Sequence, residues 1–196
     1  MGPQGMIPGN SLSIVPTPST FSGARGLPVT KTVDYEDGGV AIQDPTQGLL
    51  VKRWRARLVG PDVIVDAADV EPFVLITGAG ITEISLTFDQ NMRPTLAYVQ
   101  DGVAKLRWFD SLPGEVVTTI YDGIRTPRIT LDDKRYTQTS SSDIILAYIR
   151  ISDGALCFRM QRERFDTERV LDAGPHKGLI KIGFSRQLQL QFMLEV

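Results

Sequence analysis

A single cysteine, Cys157, and a single histidine, His176, are all that 196 residues offer to a disulfide or a soft metal. One thiol cannot close an internal disulfide. Two such ligands fall short of a Cys/His zinc site, which needs four, or three and a water. No metal or cofactor site is expected. Positive charge is not in excess: the formal net charge is −2. The chain lacks the balance that neutralises phosphates, so nucleic acid is not an expected partner. No run approaches the ~18 apolar residues of a membrane span, so no membrane insertion is expected. The start Met1-Gly2-Pro3-Gln4 has neither the basic segment nor the apolar stretch of a secretory signal. These absences predict a protein made in a reducing cytoplasm. No nucleophile elbow, P-loop or dinucleotide fingerprint occurs. Helical periodicity is missing too, with no helix of about ten residues predicted anywhere.

The first part of the chain differs from the rest. Residues 1–48 hold six prolines and eight glycines, and residues 1–30 carry one charged side chain, Arg25. Proline removes backbone donors and glycine costs entropy, so neither helix nor interior strand is sustained here. Ordinary disordered tails are more polar than this one. An uncharged, apolar segment of this kind reads as an extended arm lying over another surface. Ile7, Leu12, Ile14, Val15 and Phe21 are its candidate contacts with neighbouring subunits. The expected division is an arm over 1–40 and a body over 41–196.

The body alternates with period two, the signature of half-buried strands. Trp54, Ala56 and Leu58 oppose Arg53, Arg55 and Arg57; Ile84, Leu86 and Phe88 oppose Ser85, Thr87 and Asp89. Ala104, Leu106 and Trp108 oppose Lys105 and Arg107. Ile180, Ile182 and Phe184 alternate with Lys181 and Gly183, and Leu188, Leu190, Phe192 and Leu194 with Gln187, Gln189 and Gln191. Asp101-Gly102, Asp122-Gly123 and Asp153-Gly154 punctuate these runs as hairpin signals.

Two stretches repeat. Leu96-Ala97-Tyr98-Val99 falls on Leu146-Ala147-Tyr148-Ile149, Asp101-Gly102 on Asp153-Gly154, Arg107 on Arg159 and Asp89 on Asp132. A period of ~50 residues with three or four short strands suits a propeller blade or a comparable small antiparallel sheet. The predicted class is all-β, with blade-like antiparallel repeats arranged as a propeller or a sandwich. Residues 49–77 and 178–196 look like a diverged and a partial unit. Two clear and two partial units do not close a ring by themselves, so the repeats either stack as a sandwich or are completed by other chains in a homo-oligomer.

The string SLTFDQNMRPTLAYVQDGVAKLRWFDS, with RTPRITLDD and SSDIILAYIR downstream, resembles tail-associated virion proteins of tailed bacteriophages that infect Gram-negative hosts. The similar region covers about 40–170. The resemblance implies a structural or fibre-associated tail component (tail tip, baseplate or fibre-attachment part) present in several copies. Its partners would be other copies of itself and other tail proteins, and its location the virion tail after synthesis in the host cytoplasm. It carries over no catalytic residue.

Candidate chemistry is sparse, and no catalytic residue is predicted. The carboxylates Asp132-Asp133 and Glu163, Asp166 and Glu168 could form the pair a glycan hydrolase needs. The alternating signs of RERFDTER read instead as a solvated face or a protected edge. Arg53, Arg55 and Arg57 form a row that could bind an acidic partner or a glycan phosphate, or simply a solvated face. Trp54 and Trp108 could stack on sugars if exposed, although their positions on apolar faces favour the core. These five residues support an alternative reading, a carbohydrate-binding module for host attachment, with a glycan hydrolase as the third. His176 is expected in an exposed loop and Cys157 as a half-covered thiol.

Overall fold

The computed structural model describes residues 12–15, 33–34, 39–44, 50–89, 91–131, 143–184 and 190–195, with backbone alone at 12–15, 33–34, 39–44, 50–52 and 184. Its strands are β1 (Leu12–Val15), β2 (Val33–Asp34), β3 (Gly39–Asp44), β4 (Leu50–Val59), β5 (Asp62–Ala67), β6 (Val70–Thr77), β7 (Ile81–Phe88) and β8 (Pro94–Gln100). The second half adds β9 (Val103–Asp110), β10 (Glu115–Tyr121), β11 (Ile124–Leu131), β12 (Ile144–Arg150), β13 (Leu156–Met160), β14 (Arg169–Asp172), β15 (Gly178–Phe184) and β16 (Leu190–Glu195). The helical content among the described residues is one 3-10 turn, Gln161–Glu163. The all-β prediction holds.

The strands form four sheets, in the orders β2-β3-β4-β5-β6, β10-β9-β8-β7, β11-β12-β13-β14 and β1-β16-β15. The first three are meanders in which each strand pairs with the next. The opening strands touch in cyclic order: β2 lies against β7, β7 against β11, β11 against β15, and β15 against β2. The stretch 49–77 falls within the five-stranded first sheet. The stretch 178–196 supplies two strands of the fourth sheet, and β1 supplies the third.

β1 runs parallel to β16, with Leu12 opposite Leu190 and Val15 opposite Met193. The backbone of Leu12–Val15 therefore pairs within its own chain, along one edge of β16. Ile7 and Phe21 lie outside the described residues, as do the side chains of Leu12, Ile14 and Val15.

The repeat is reproduced in the central strand pair of the second and third sheets. Leu96, Ala97, Tyr98 and Val99 stand opposite Arg107, Leu106, Lys105 and Ala104. Leu146, Ala147, Tyr148 and Ile149 stand opposite Arg159, Phe158, Cys157 and Leu156. Both middle strands are buried on both faces, and β8 lies against β11 of the third sheet as β12 lies against β15 of the fourth.

Two alternations are corrected. Ser85, Thr87 and Asp89 were expected to face solvent, yet all three are buried. β7 is an opening strand held between sheets, so its polar face meets protein: the Ser85 hydroxyl accepts from Ile129 N–H at 3.1 Å. Asp89 accepts from the N–H groups of Asn91 and Arg93 and closes the turn into β8. In β15 the register shifts between Leu179 and Lys181. That bulge puts Leu179 and Ile182 in the core and leaves Ile180 only half-buried.

Candidate functional site

The arginine row lies where its alternation placed it. Arg53, Arg55 and Arg57 face outward from β4 while Trp54 and Ala56 face in; Leu58, near the strand's end, is exposed. Asp66 on β5 stands directly opposite Arg55. Its two carboxylate oxygens accept from Arg55 Nε at 2.9 Å and Arg57 Nε at 2.8 Å. Burial raises the affinity of this carboxyl for a proton, but the two guanidiniums outweigh it and hold its pKa below the usual value. The row borders an open depression of about 770 Å³, with Val70 and Pro72 on its far side. The sequence named the arginines and missed Asp66, whose partnership depends on cross-strand register.

Both tryptophans are core residues. Trp54 packs on Phe88 with ring centroids 4.8 Å apart. Trp108 meets Phe165 edge-on at 5.1 Å and donates to the Thr119 hydroxyl at 3.0 Å. Neither is placed to stack on a sugar, so the tryptophan part of the carbohydrate reading is withdrawn.

The RERFDTER segment is not a plain solvated face. Phe165 is buried against Trp108, and Arg164 reaches Asp110 on β9, tying the second sheet to the third. Glu163 is gripped by both terminal nitrogens of Arg169. Glu168 accepts from the Tyr148 hydroxyl at 2.5 Å and from Arg150 at 2.6 Å. Tyr148 in turn accepts from Arg159 Nε at 2.8 Å. Arg169 holds the Glu163 carboxyl below its usual pKa. At Glu168 burial pushes upward, but hydrogen bonds from Tyr148 and Arg150 prevail and the carboxyl is lowered. Both carboxylates thus stay ionised at neutral pH, whereas a glycosidase's general acid must be held protonated. Asp132 and Asp133 lie outside the described residues.

This cluster borders a second cleft, about 560 Å³, between β10 and the third sheet. Tyr121, whose hydroxyl is pushed up to about 12 chiefly by burial, faces Arg159 there. Ile120 and Ile151 form its exposed apolar rim. Sequence reasoning overlooked the cluster because its members come from three strands and a turn, and only the alternating charges hinted at it.

His176 is not exposed: its side chain is largely covered, with Nε2 3.4 Å from the Asp172 carboxylate. Cys157 is fully buried, not half-covered, and burial pushes its thiol up to about 11. Among the described residues no group of three or more His, Cys, Asp or Glu is placed to hold a metal ion, and no helix is long and apolar enough to cross a membrane.

No family model matches the chain, and neither the curated proteins nor the solved structures include one significantly similar to it.

Proposed function

We propose that the chain is a structural component of a bacteriophage tail that works by assembly, not turnover, and that its four sheets form a propeller-like ring within one chain. The observation that carries the reading is the shared register of the two repeat units. The strings that resemble tail-associated proteins fold as two equivalent sheets, as a β-repeat tail part requires. The cyclic contact of β2, β7, β11 and β15 supports the ring. Arg128 supports rigidity: it is fully buried on β11, donates to Ile180 O on β15 at 3.0 Å and pairs with Glu83 on β7 at 3.0 Å. One side chain thereby fastens three sheets.

The test is quantitative mass spectrometry of purified particles from a host expressing the chain, with electron microscopy of particles made without it. Stoichiometric presence and defective tails are expected. Intact, infectious particles that lack the chain overturn the proposal.

A second reading, a glycan-binding module, is favoured by the cleft beside Tyr121, where paired Arg150 and Glu168 adjoin apolar Ile151. A glycan array separates the two: binding that Arg150→Ala abolishes supports recognition, and no binding supports assembly alone.

A further inference from the structure

The outermost strands differ in how they are guarded. β6 carries Glu71 and Pro72 and shifts register twice against β5. β14 is four residues long and its pairing is broken by a bulge. These are the usual protections of an open edge. β10 has none of them. It runs seven residues, Glu115-Val-Val-Thr-Thr-Ile-Tyr121, without a register break against β9. Its only charge is at its first position, and it is the last strand of its sheet.

The direction of its free hydrogen-bonding groups follows from the neighbouring hairpin. Gln100 and Val103 flank the two-residue turn Asp101-Gly102, so they exchange hydrogen bonds. Bonding direction alternates along an antiparallel strand. Val103, Lys105 and Arg107 therefore bond to β8, and Ala104, Leu106 and Trp108 to β10. Their partners on β10 are Tyr121, Thr119 and Val117. The N–H and C=O groups of Val116, Thr118 and Ile120 point to the open edge. Their side chains share one face, where Val116 is 50 % and Ile120 60 % exposed. At the strand's two ends Leu112 is 76 % and Ile151, on the rim of the cleft that Ile120 also lines, 53 % exposed.

We infer that β10 pairs antiparallel with β10 of a second copy, about a two-fold axis at Thr118, joining two four-stranded sheets into one. The strand is self-complementary about that residue. With Thr118 opposite its own symmetry mate, outward-pointing Val116 meets outward-pointing Ile120 on both sides. Every pair that can exchange hydrogen bonds is then matched, and each apolar side chain lies beside another. Glu115 falls opposite Tyr121, so no like charges meet. The choice of a second copy as partner accords with the assembly reading, but the strand's symmetry argues for it independently. One strand pair is small against the ~1,200–2,000 Å² of a standard interface, so the dimer should be weak, dissociating at about micromolar concentrations or above.

Sedimentation of the purified full-length chain over a concentration series tests this, together with Thr118→Cys under mild oxidation. Paired residues of an antiparallel ladder have Cα atoms ~5.5 Å apart, within disulfide range. The expected results are a concentration-dependent dimer, a covalent dimer for Thr118→Cys but not for the parent chain with its buried Cys157, and a dissociation constant raised at least tenfold by Ile120→Lys. An unchanged circular dichroism spectrum will show that Ile120→Lys still folds. A monomer throughout overturns the inference. So does a dimer that neither becomes covalent in the Thr118→Cys variant nor weakens with Ile120→Lys, because its interface then lies elsewhere. A monomer whose Val116, Thr118 and Ile120 amides resist exchange also overturns it, since another part of the same chain then covers the edge. None of these outcomes bears on whether the chain is found in phage particles.

Discussion

Ser85 and Arg128 occupy the same position in successive sheets: Ser85 stands opposite Ala97 in the second, Arg128 opposite Ala147 in the third. Both are buried, and both bond across to another sheet. Ser85 accepts from the β11 backbone, while Arg128 reaches β7 and β15. The position opposite the repeat's alanine is thus one place where each of these two sheets is fastened to a neighbour. A small side chain across the strand pair leaves room for a polar one.

Removing the larger of the two fasteners should be costly. Arg128→Ala leaves the carbonyls of Ile180 and Pro127 without their donor and Glu83 without its partner. The Glu83 side chain is 23 % exposed, so water recovers part of that loss. The expected destabilisation is about 3 kcal/mol, against about 1 kcal/mol for Glu83→Gln. Urea unfolding measures both. A loss below about 1 kcal/mol for Arg128→Ala would show that the guanidinium does not hold the sheets together.

Trp54 and Trp108 should behave as interior fluorophores. Their emission should be blue-shifted and resistant to iodide quenching, and replacing either by alanine should cost about 3–5 kcal/mol. Iodide quenching comparable to that of free indole would contradict the packing against Phe88 and Phe165.

Acid should weaken the chain from a definable point. Glu163 and Glu168 have folded pKa values below the ordinary 4.5, and Asp66 below 3.8. Between the unfolded and folded values the unfolded chain binds more protons, so stability rises with pH there. The contribution is complete above the unfolded values and is lost as pH falls through the folded ones. Unfolding free energies measured from pH 7 down to about pH 3 should be level at first and then decline below about pH 5. Glu168→Gln should lower the plateau and flatten the decline. A decline of the same steepness in that variant would remove Glu168 from the explanation.

The two Asp-Gly turns of the repeat should respond unequally to the same substitution. Gly102 and Gly154 both have positive φ, 78° and 73°. A Cβ on Gly102 meets nothing within 4 Å, whereas one on Gly154 comes within 2.9 Å of Pro175 Cα. Gly102→Ala should cost only the left-handed backbone term, about 1–2 kcal/mol. Gly154→Ala must also displace the Pro175 backbone and should cost clearly more. Equal thermal shifts would mean that the third sheet's turn does not rest on the loop before β15.

Strands, turns and the repeat were legible in the sequence because each is a local pattern. The equivalence of Tyr98 with Tyr148, and of Arg107 with Arg159, came straight from aligned residues. Burial was legible where a strand has one dry face, as for Ala104, Leu106 and Trp108, and where a run is apolar throughout, as for Leu146–Ile149. It failed at Ser85 and Thr87, where period two marks side-chain direction but not whether a second sheet waits on the far side. It failed at Ile180 because a one-residue bulge inverts the faces and leaves little compositional trace. The clusters around Arg128 and Glu168 were out of reach for another reason. Glu83, Arg128 and Ile180 lie on β7, β11 and β15, far apart along the chain, and only the contact between sheets brings them together.

The parallel pairing of β1 with β16 has a kinetic corollary. The second and third sheets are runs of hairpins between sequence neighbours, so little loop entropy opposes their formation. Leu12 meets Leu190 across nearly the full span of the described residues. Contacts of such separation form slowly and late. During synthesis the middle sheets can assemble while the ribosome is still translating, but β1 must wait, unpaired, for its partner to emerge. The last sheet to close is then the one that joins the first of the described strands to the last. Any ribosomal stall before residue 190 would leave a partly folded chain with an open strand edge, a substrate for chaperones or for aggregation.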